Sequence, residues 1–348
     1  MKFSILIATY NRAALLRDTL ASLARLQPGG SWEVIVIDNN SPDDTRHVVE
    51  RAMPRFPVPL RYAFEREQGR SAALNCGFRL AQGDIIVTTD DDVRVEPDWL
   101  NRIEAGLASQ HCDYIGGRVM PLWGGRLPRW LPQTNSRLWA VIALLDYGPD
   151  PIPLGRRAPL GVNMAMRRDA IDRVGGFDPK IGRKAGTLLG QEVREWCLRA
   201  KAAGMVGCYI PDVVVQHLIP ADRLTKQYFR RWFYWRGISR AMLYRQTGLD
   251  MESPETSTLD FAHVPHVAGI PRYLFRSALV ALRDSAVAAI TRDSATNFER
   301  ELWLWMFAGI VKQRWHDRHE PIAVPGPRQP ADSRPPTADR RDIKGLPV

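Results

Sequence analysis

The chain contains 348 residues, of which 45% are hydrophobic and 25% are charged, which is typical of a soluble globular protein. No apolar run approaches the ~18 residues of a membrane span, so we expect no membrane-spanning helix. The net charge of +10 favours anionic partners, either molecules or surfaces.

The cysteines indicate the redox state that we expect for the chain. Cys76, Cys112, Cys197 and Cys208 show neither CxxC nor zinc-finger spacing. We therefore predict four reduced thiols in a cytosolic protein. Met1 leads almost directly into a strand-like run, so we also expect no signal peptide.

Apolar runs alternate with helical patterns over the first 90 residues. The runs rich in β-branched residues predict buried strands at 3–9, 32–37, 60–64 and 85–89. Apolar residues at helical spacing predict helices at 13–26, 46–53 and 72–81. This order predicts an α/β fold whose parallel sheet is covered by helices on both faces.

Three consecutive carboxylates, Asp90, Asp91 and Asp92, follow the strand at 85–89. Carboxylates this close repel one another unless a cation lies among them. Hard oxygen ligands suit Mg or Mn, and these ions usually keep substrate phosphates as further ligands. A solvated acidic turn is the alternative. Because α/β proteins bind ligands beyond the carboxyl ends of their strands, we favour a divalent cation site.

The middle of the chain is less regular. We predict a helix at 97–107, strands at 114–120 and 161–166, a helix at 169–174, a basic glycine-bearing loop at 182–190, a helix at 191–203, and strand, turn and strand over 205–215. The segment 121–159 is too long for a structureless loop, which indicates a lid or a substrate-facing insertion.

Beyond residue 222 the composition changes. Residues 223–245 interleave aromatic and basic side chains, and further helices are predicted at 271–290 and 298–315. These helices either pack as core or lie at an anionic membrane surface. No nucleic-acid-binding motif is visible, so we expect no nucleic acid partner. Residues 319–348 contain many prolines and few apolar residues, and we expect a disordered tail.

Seven segments, taken in order, resemble the family 2 glycosyltransferases of GT-A fold. They are SILIATYNR (4–12), EVIVIDNNSPDDT (33–45), GRSAALNCGF (69–78), GDIIVTTDDD (83–92), GVNMAMRRDAIDRVGGFDP (161–179), LLGQEVREWCLRAKAAG (188–204) and IPDVVVQHLIPADRLT (210–225). The resemblance implies a GT-A domain at 1–222 with a mixed, mainly parallel sheet, followed by a helical extension at 223–318. It also implies the transfer of a sugar from a nucleotide-diphosphate donor to an acceptor hydroxyl, usually with inversion.

The resemblance implies where the donor nucleotide would bind. Thr9, Tyr10 and Asp38 would hold the nucleoside, with Asp38 on the base. Arg70 would neutralise the diphosphate or contact the base. Asp90 would lie near the ribose.

The metal and the acceptor side are implied in the same way. Asp92 would bind a Mg or Mn ion that bridges the diphosphate, with Asp91 alongside. His217 stands where many members have a histidine near that metal. Asn163 would line the sugar and acceptor side.

The general base is less well defined by the resemblance. Family members commonly carry a Glu-Asp pair at the start of the helix after the glycine loop, whereas this chain has Gln191-Glu192-Val193. Glu192 is the only acidic residue at the position of that pair in this sequence, and Glu195 follows three residues later. We predict that Glu192 deprotonates the acceptor hydroxyl, with Glu195 as the alternate base.

These residues also have ordinary structural explanations. Asp38 is a typical turn residue, and Glu192 stands where the helix dipole favours an acid. Arg70 could be a surface residue at a helix start, His217 a hydrogen-bonded strand-end histidine, and Asn163 a strand hydrogen-bonding residue.

Two other functions remain open from the sequence. A sugar-1-phosphate nucleotidyltransferase would carry a glycine-rich phosphate loop after the first strand, where this chain has Tyr10-Asn11-Arg12. A non-catalytic nucleotide-sugar-binding protein would explain the imperfect acidic pair. For the leading prediction, the partners are a nucleotide-diphosphate sugar and a carbohydrate or lipid-linked acceptor. We expect a cytoplasmic protein with possible peripheral contact at the inner membrane.

Overall fold

The computed structural model describes residues 1–131, 136–248, 264–291 and 294–320. The predicted disordered tail falls outside the described residues from position 321 onward. The strands are β1 (Phe3–Thr9), β2 (Trp32–Asp38), β3 (Leu60–Phe64), β4 (Ile85–Thr89), β5 (Val93–Val95), β6 (Tyr114–Gly124), β7 (Ile152–Pro153), β8 (Met164–Arg167), β9 (Gly207–Pro220), β10 (His266–Val267) and β11 (Ile270–Pro271). The helices are α1 (Ala13–Leu23), α2 (Thr45–Ala52), α3 (Arg70–Leu80), α4 (Trp99–Ser109), α5 (Ser136–Trp139), α6 (Arg168–Val174), α7 (Glu192–Ala202), α8 (Lys226–Thr247), α9 (Arg272–Thr291) and α10 (Ser294–His316).

A mixed sheet forms the centre of the molecule, as predicted. Its strand order is β3-β2-β1-β4-β8-β6-β9-β5, and β7 pairs with β9. The strands β1, β2, β3 and β4 are mutually parallel where they pair. The strand β8 runs antiparallel between β4 and β6, and β5 runs antiparallel to β9. The carboxyl ends of β1, β2 and β4 therefore meet at one edge of the sheet.

The central strands are buried on both faces, which explains their continuous apolar runs. Successive side chains of a strand point to opposite faces. Ile5 and Ile7 of β1 accordingly join one hydrophobic cluster with Leu16 of α1. Leu6 joins a second cluster with Leu74 of α3. Helices thus cover both faces and hold the strand ends in fixed positions.

The strand β9 is longer and more continuous than the sequence predicts for 205–215. Gly117 of β6 pairs with Ile210, and the next residue, Arg118, pairs with Val214. The predicted turn is therefore a bulge within one strand. Because β9 continues beyond the bulge, it carries His217 to the edge of the sheet where the acidic triplet lies.

The prediction of four reduced thiols is wrong for one pair of cysteines. Cys112 and Cys208 form a disulfide, with their Cα atoms 6.3 Å apart. The pairing of Ile115 in β6 with Cys208 in β9 brings the two sulfurs together. Cysteines separated by 96 residues give no local signal of such a pairing. Cys76 and Cys197 are free thiols, as predicted.

Two glycines allow the long helices α8 and α10 to pack closely. A Cβ atom on Gly237 of α8 would overlap the carbonyl oxygen of Met306, and one on Gly309 of α10 would overlap that of Tyr234. The backbones of the two helices are therefore in direct contact.

Part of the aromatic stretch that begins α8 is core. Phe229 is fully buried. Its ring centroid lies 5.0 Å from that of Trp130 and 6.4 Å from that of Phe298. Across the ranges that the structure describes, no helix is both long enough and apolar enough to cross a membrane.

Candidate active site

The acidic triplet lies at the carboxyl edge of the sheet, beside the end of β1. Because Ile7 of β1 pairs with Thr89 of β4, the residues that follow both strands are neighbours. The hydroxyl of Thr9 donates a 2.7 Å hydrogen bond to Oδ2 of Asp91. Thr9 and Asp91 are both buried. The acidic triplet is therefore held by the sheet rather than solvated in an open turn.

The guanidinium of Arg12 lies between two of these carboxylates. Its Nη1 atom lies 2.9 Å from Oδ1 of Asp91 and 2.7 Å from Oδ2 of Asp92. Burial raises the pKa of Asp91 to about 6 although Arg12 opposes the rise. Burial also acts to raise the pKa of Asp92, but His217 and Arg12 outweigh burial and hold that pKa below its usual range. Arg12 was not predicted from the sequence as a site residue, although its position just after the first strand is a usable signal.

Asp90, Asp92 and His217 form a cluster that could hold a metal ion. One ligand atom from each residue lies within 4.8 Å of the others. Val93 of β5 pairs with His217, which places the imidazole Nε2 atom 3.2 Å from Oδ1 of Asp92. Nδ1 of His217 is buried and has no hydrogen-bond partner among the described residues. Two carboxylates with one imidazole are a donor set that fits a divalent cation.

Arg70, at the start of α3, connects the acidic triplet to α7. Its Nη2 atom lies 2.8 Å from Oδ1 of Asp90, and its Nη1 atom lies 3.5 Å from Oε1 of Glu192. Burial acts to lower the pKa of Arg70, but the two carboxylates outweigh burial and raise it. A Cβ atom on Gly161 would lie 2.8 Å from Nη1 of Arg70. The glycine therefore leaves the space that the guanidinium occupies.

The two glutamates predicted as bases have different surroundings. Glu192 is the first residue of α7, and its Oε2 atom is buried without a hydrogen-bond partner among the described residues. Glu195 accepts hydrogen bonds from Nε of Arg199 at 2.8 and 3.0 Å and from its Nη2 atom at 2.9 Å. Glu192 lines the cleft at the sheet edge, and Glu195 is not among the described residues that line it.

Asp38 lies at the end of β2 but is tied into the local structure. One of its oxygens accepts a 2.8 Å hydrogen bond from the Tyr62 hydroxyl, and the other accepts a 2.9 Å bond from the Ser41 amide. Burial and the bond to Asp38 raise the pKa of Tyr62. The next residue, Asn39, lines the cleft, as does Tyr10, which is 40% exposed.

Asn163 is almost completely buried and holds the bulge of β9 in place. Its amide nitrogen donates 2.9 Å hydrogen bonds to the carbonyl oxygens of Arg118 and Val213. Its amide oxygen accepts a 3.2 Å bond from the indole of Trp99. Asn163 is not among the described residues that line the cleft.

These residues surround a cleft of about 560 Å³. Of the residues predicted from the sequence, it is lined by Thr9, Tyr10, Arg70, Asp90, Asp91, Asp92, Glu192 and His217. Asp38, Asn163 and Glu195 do not line it within the described part of the chain.

The remaining walls include parts of the chain to which sequence analysis gave no residue-level role. Residues of the segment 121–159, for which the sequence predicts a lid or a substrate-facing insertion, line the cleft. Tyr228, Trp232 and Arg236 of α8 also line the cleft. Their spacing of four residues places them on one face of the helix, a pattern that was visible in the sequence.

Comparison with known proteins identifies the family of this chain. Residues 4–175 match the profile of the family described as Glycosyl transferase family 2. The chain belongs to this family. It is therefore a glycosyltransferase.

Two curated relatives cover most of this glycosyltransferase. Glycosyltransferase AglE of Haloferax volcanii is 27% identical over 232 residues, which are 65% of this chain and 70% of that protein. The glucosyl-dolichyl phosphate glucuronosyltransferase of the same organism is 26% identical over 262 residues, which are 72% of this chain and 80% of that protein.

A solved structure confirms the fold. The mannosyltransferase PcManGT from Pyrobaculum calidifontis, solved with GDP-Man and Mn2+, superposes with a TM-score of 0.60. The match covers 90% of this chain and 87% of that one at 20% identity. The glycosyltransferase thus has the GT-A fold that the sequence predicts.

Proposed function

We propose that this glycosyltransferase moves a sugar from a nucleotide-diphosphate donor to an acceptor hydroxyl, with a divalent cation and with inversion of the anomeric carbon. The observation that carries the proposal is the buried Oε2 atom of Glu192, which has no hydrogen-bond partner among the described residues, in a side chain that lines the same cleft as Asp90, Asp92 and His217. A buried carboxylate oxygen without a partner is costly, and an acceptor hydroxyl would satisfy it.

Glu192 then acts as the general base. It accepts the proton of the acceptor hydroxyl as that oxygen attacks the anomeric carbon and the bond to the diphosphate breaks. Glu195 remains the alternate base, but its three hydrogen bonds from Arg199 favour a role in holding α7. A single displacement by one oxygen nucleophile inverts the carbon that it attacks.

The leaving diphosphate meets the cationic part of the cleft. Arg70 lies beside Asp90 and is positioned to neutralise the developing negative charge. Asp92 and His217, with Asp90, would hold a Mg or Mn ion, which supplies Lewis-acid stabilisation of the diphosphate when bound. The GDP-Man and Mn2+ in the mannosyltransferase structure support this donor class.

The nucleoside is proposed to bind along the ends of β1 and β2. Thr9 and Tyr10 face the cleft there. Asp38 lies behind them and would contact the base after releasing a local hydrogen bond. Asp91 would contribute indirectly, by holding Thr9 and Arg12 in place through the hydrogen bonds that it accepts from them.

The acceptor is proposed to be a carbohydrate or a lipid-linked sugar in glycan synthesis. The relative that acts on glucosyl-dolichyl phosphate, by its name, supports a lipid-linked acceptor. Exposed apolar side chains on the C-terminal helices, including Leu279, Leu282 and Trp315, support peripheral contact with a membrane. Arg276 and Arg283 are exposed on the same helix as the two leucines, where they would meet anionic headgroups.

Nucleotide titration tests the donor and metal parts of the proposal. We expect UDP or GDP to bind with a Kd that falls at least about tenfold when Mn2+ is added, and Asp92→Asn to remove that gain because a ligand is lost. Asp84→Asn is the control, since Asp84 is exposed at the other end of β4. If Mn2+ does not change the Kd for the nucleotide in the unaltered protein, the proposed metal site is contradicted.

An NMR measurement of the anomeric configuration of the product tests inversion. A product that retains the configuration of the donor sugar contradicts it.

A further inference from the structure

The two carboxylates that could hold a cation each give one oxygen to an arginine. Nε and Nη2 of Arg70 both donate to Oδ1 of Asp90, at 3.2 and 2.8 Å. Nη1 of Arg12 donates a 2.7 Å hydrogen bond to Oδ2 of Asp92. The other oxygen of Asp92, Oδ1, is buried and has no hydrogen-bond partner among the described residues. Each carboxylate therefore keeps one oxygen that no arginine occupies.

Asp91, between them in the sequence, has both of its oxygens engaged. Oδ1 accepts a 2.9 Å hydrogen bond from Nη1 of Arg12, and Oδ2 accepts a 2.7 Å bond from the hydroxyl of Thr9. Asp91 is also the member of the triplet that does not belong to the cluster that could hold a metal ion. The hydrogen bonds thus separate the carboxylate oxygens that can bind a cation from those that hold the site together.

The turn after β1 fixes the backbone of Arg12. Asn11 lies in the left-handed region with a φ of 55°, which asparagine adopts more readily than most residues. Its amide donates a 2.9 Å hydrogen bond to Oγ of Ser41. The carbonyl oxygen of Arg12 accepts a 3.0 Å bond from the amide of Leu16 in α1. The guanidinium therefore reaches the triplet from a fixed point.

The oxygens that the arginines leave suit a small octahedral cation. Mg2+ demands octahedral geometry and usually combines one or two carboxylates with substrate phosphates, whereas Ca2+ takes about six to eight oxygens and often both oxygens of one carboxylate. A cation bound to both oxygens of Asp92 would have the guanidinium of Arg12 as its immediate neighbour, and like charges repel. The same applies to Asp90 and Arg70.

We propose that Arg12 and Arg70 select the metal ion of this glycosyltransferase by limiting Asp92 and Asp90 to one coordinating oxygen each, which favours Mn2+ or Mg2+ over Ca2+. This inference rests on the proposed function, because it concerns the cation of the same donor site. Arg12 is a positioning residue, since it acts through Asp92. Arg70 also neutralises the diphosphate in the proposed reaction, so Arg12 is the residue to test.

Nucleotide binding in the presence of two metals tests the selection. The protein is titrated with UDP or GDP by calorimetry, once in saturating Mn2+ and once in saturating Ca2+. We expect the unaltered protein to bind the nucleotide at least about tenfold more tightly with Mn2+, and Arg12→Gln to reduce this ratio of Kd values about fivefold or more, within the range usual for partners of metal ligands. The reason is that Ca2+ can then bind both oxygens of Asp92. Because Mn2+ and Ca2+ carry the same charge, the lost charge of Arg12 acts on both complexes alike and cancels in the ratio.

Two further variants assign the effect to the guanidinium of Arg12. Arg17→Gln removes the same charge from an exposed position on α1 and should leave the ratio of Kd values unchanged. Arg12→Lys keeps the charge but lacks the planar guanidinium, so it should also reduce the ratio. Each variant is first shown to melt as cooperatively as the unaltered protein. If Arg12→Gln does not fold, Arg12→Lys and the unaltered protein carry the test.

The outcomes separate the failure of the inference from that of the proposed function. If Mn2+ tightens nucleotide binding but the ratio of Kd values is the same in the unaltered protein and in the Arg12 variants, the selection by Arg12 is wrong. An unaltered protein that binds the nucleotide equally well with Mn2+ and Ca2+ has the same meaning. If no nucleotide binds the unaltered protein with Mn2+, the proposed donor site itself is wrong.

Discussion

The position of Arg70 shows how single residues shape the site. Its guanidinium contacts Asp90 and Glu192 and fills space that Gly161 leaves open. We expect Gly161→Ala to push the guanidinium away from both carboxylates, because the new Cβ would lie 2.8 and 2.9 Å from its terminal nitrogens. Turnover should fall about tenfold or more, since small displacements of catalytic groups are costly. Stability should change by less than about 1 kcal/mol, because an arginine tip can move.

Steady-state kinetics and urea unfolding check this expectation. Gly29→Ala is a suitable control, because the nearest atom to its new Cβ would be 3.9 Å away. A Gly161→Ala protein with unaltered turnover would show that Arg70 is not needed at its observed position.

The residues of the site differ in how visible they are from the sequence. The position of the acidic triplet at the sheet edge was predictable, because the triplet directly follows a buried strand of the parallel sheet. Asn163 was not, because its hydrogen bonds to Arg118 and Val213 depend on a bulge in a distant strand. Arg12 was overlooked for a similar reason, since its two carboxylate partners lie about eighty residues later in the chain.

At the scale of elements, the contact between α8 and α10 links the C-terminal helices to the cleft. We expect Gly237→Ala to destabilise the protein by about 1–3 kcal/mol, because the new Cβ would overlap a backbone oxygen that cannot rotate away. Alanine has a better helix propensity than glycine by about 1 kcal/mol. The expected loss of stability is therefore the steric cost of the overlap minus this gain. The measurement is urea unfolding, with the exposed Ala308→Ser on α10 as the control. A more stable Gly237→Ala protein would contradict the close packing.

Local patterns predicted the bounds of several strands well. The bounds of β1, β3 and β4 agree with the predicted 3–9, 60–64 and 85–89. The bulge in β9 and the Cys112–Cys208 disulfide were not predicted, because both arise from the pairing of β6 with β9. That pairing joins segments about a hundred residues apart and leaves no periodic signal in either one.

At the scale of the whole molecule, the C-terminal helices carry the proposed membrane contact. We expect the protein to co-sediment with vesicles that contain anionic lipid, and less so as salt rises, because arginines accompany the exposed apolar side chains. Leu279→Ser and Trp315→Ala should weaken sedimentation, since these side chains are 67% and 71% exposed. Phe64→Ala is the control, as Phe64 is 53% exposed on β3, an edge strand of the sheet. Equal sedimentation of all variants would place the contact elsewhere.

For the whole molecule, we propose that the sheet edge and α7 together form a site with one general base. Glu192 has a buried oxygen without a hydrogen-bond partner among the described residues, whereas Glu195 is paired with Arg199. The most direct test compares kcat and nucleotide affinity in Glu192→Gln and Glu195→Gln. We predict that Glu192→Gln lowers kcat by about 10²–10⁴ and leaves the Kd for UDP or GDP with Mn2+ within about threefold. Glu195→Gln should mainly reduce stability. A Glu192→Gln protein that keeps its kcat, beside a Glu195→Gln protein that folds but loses it, would contradict the account.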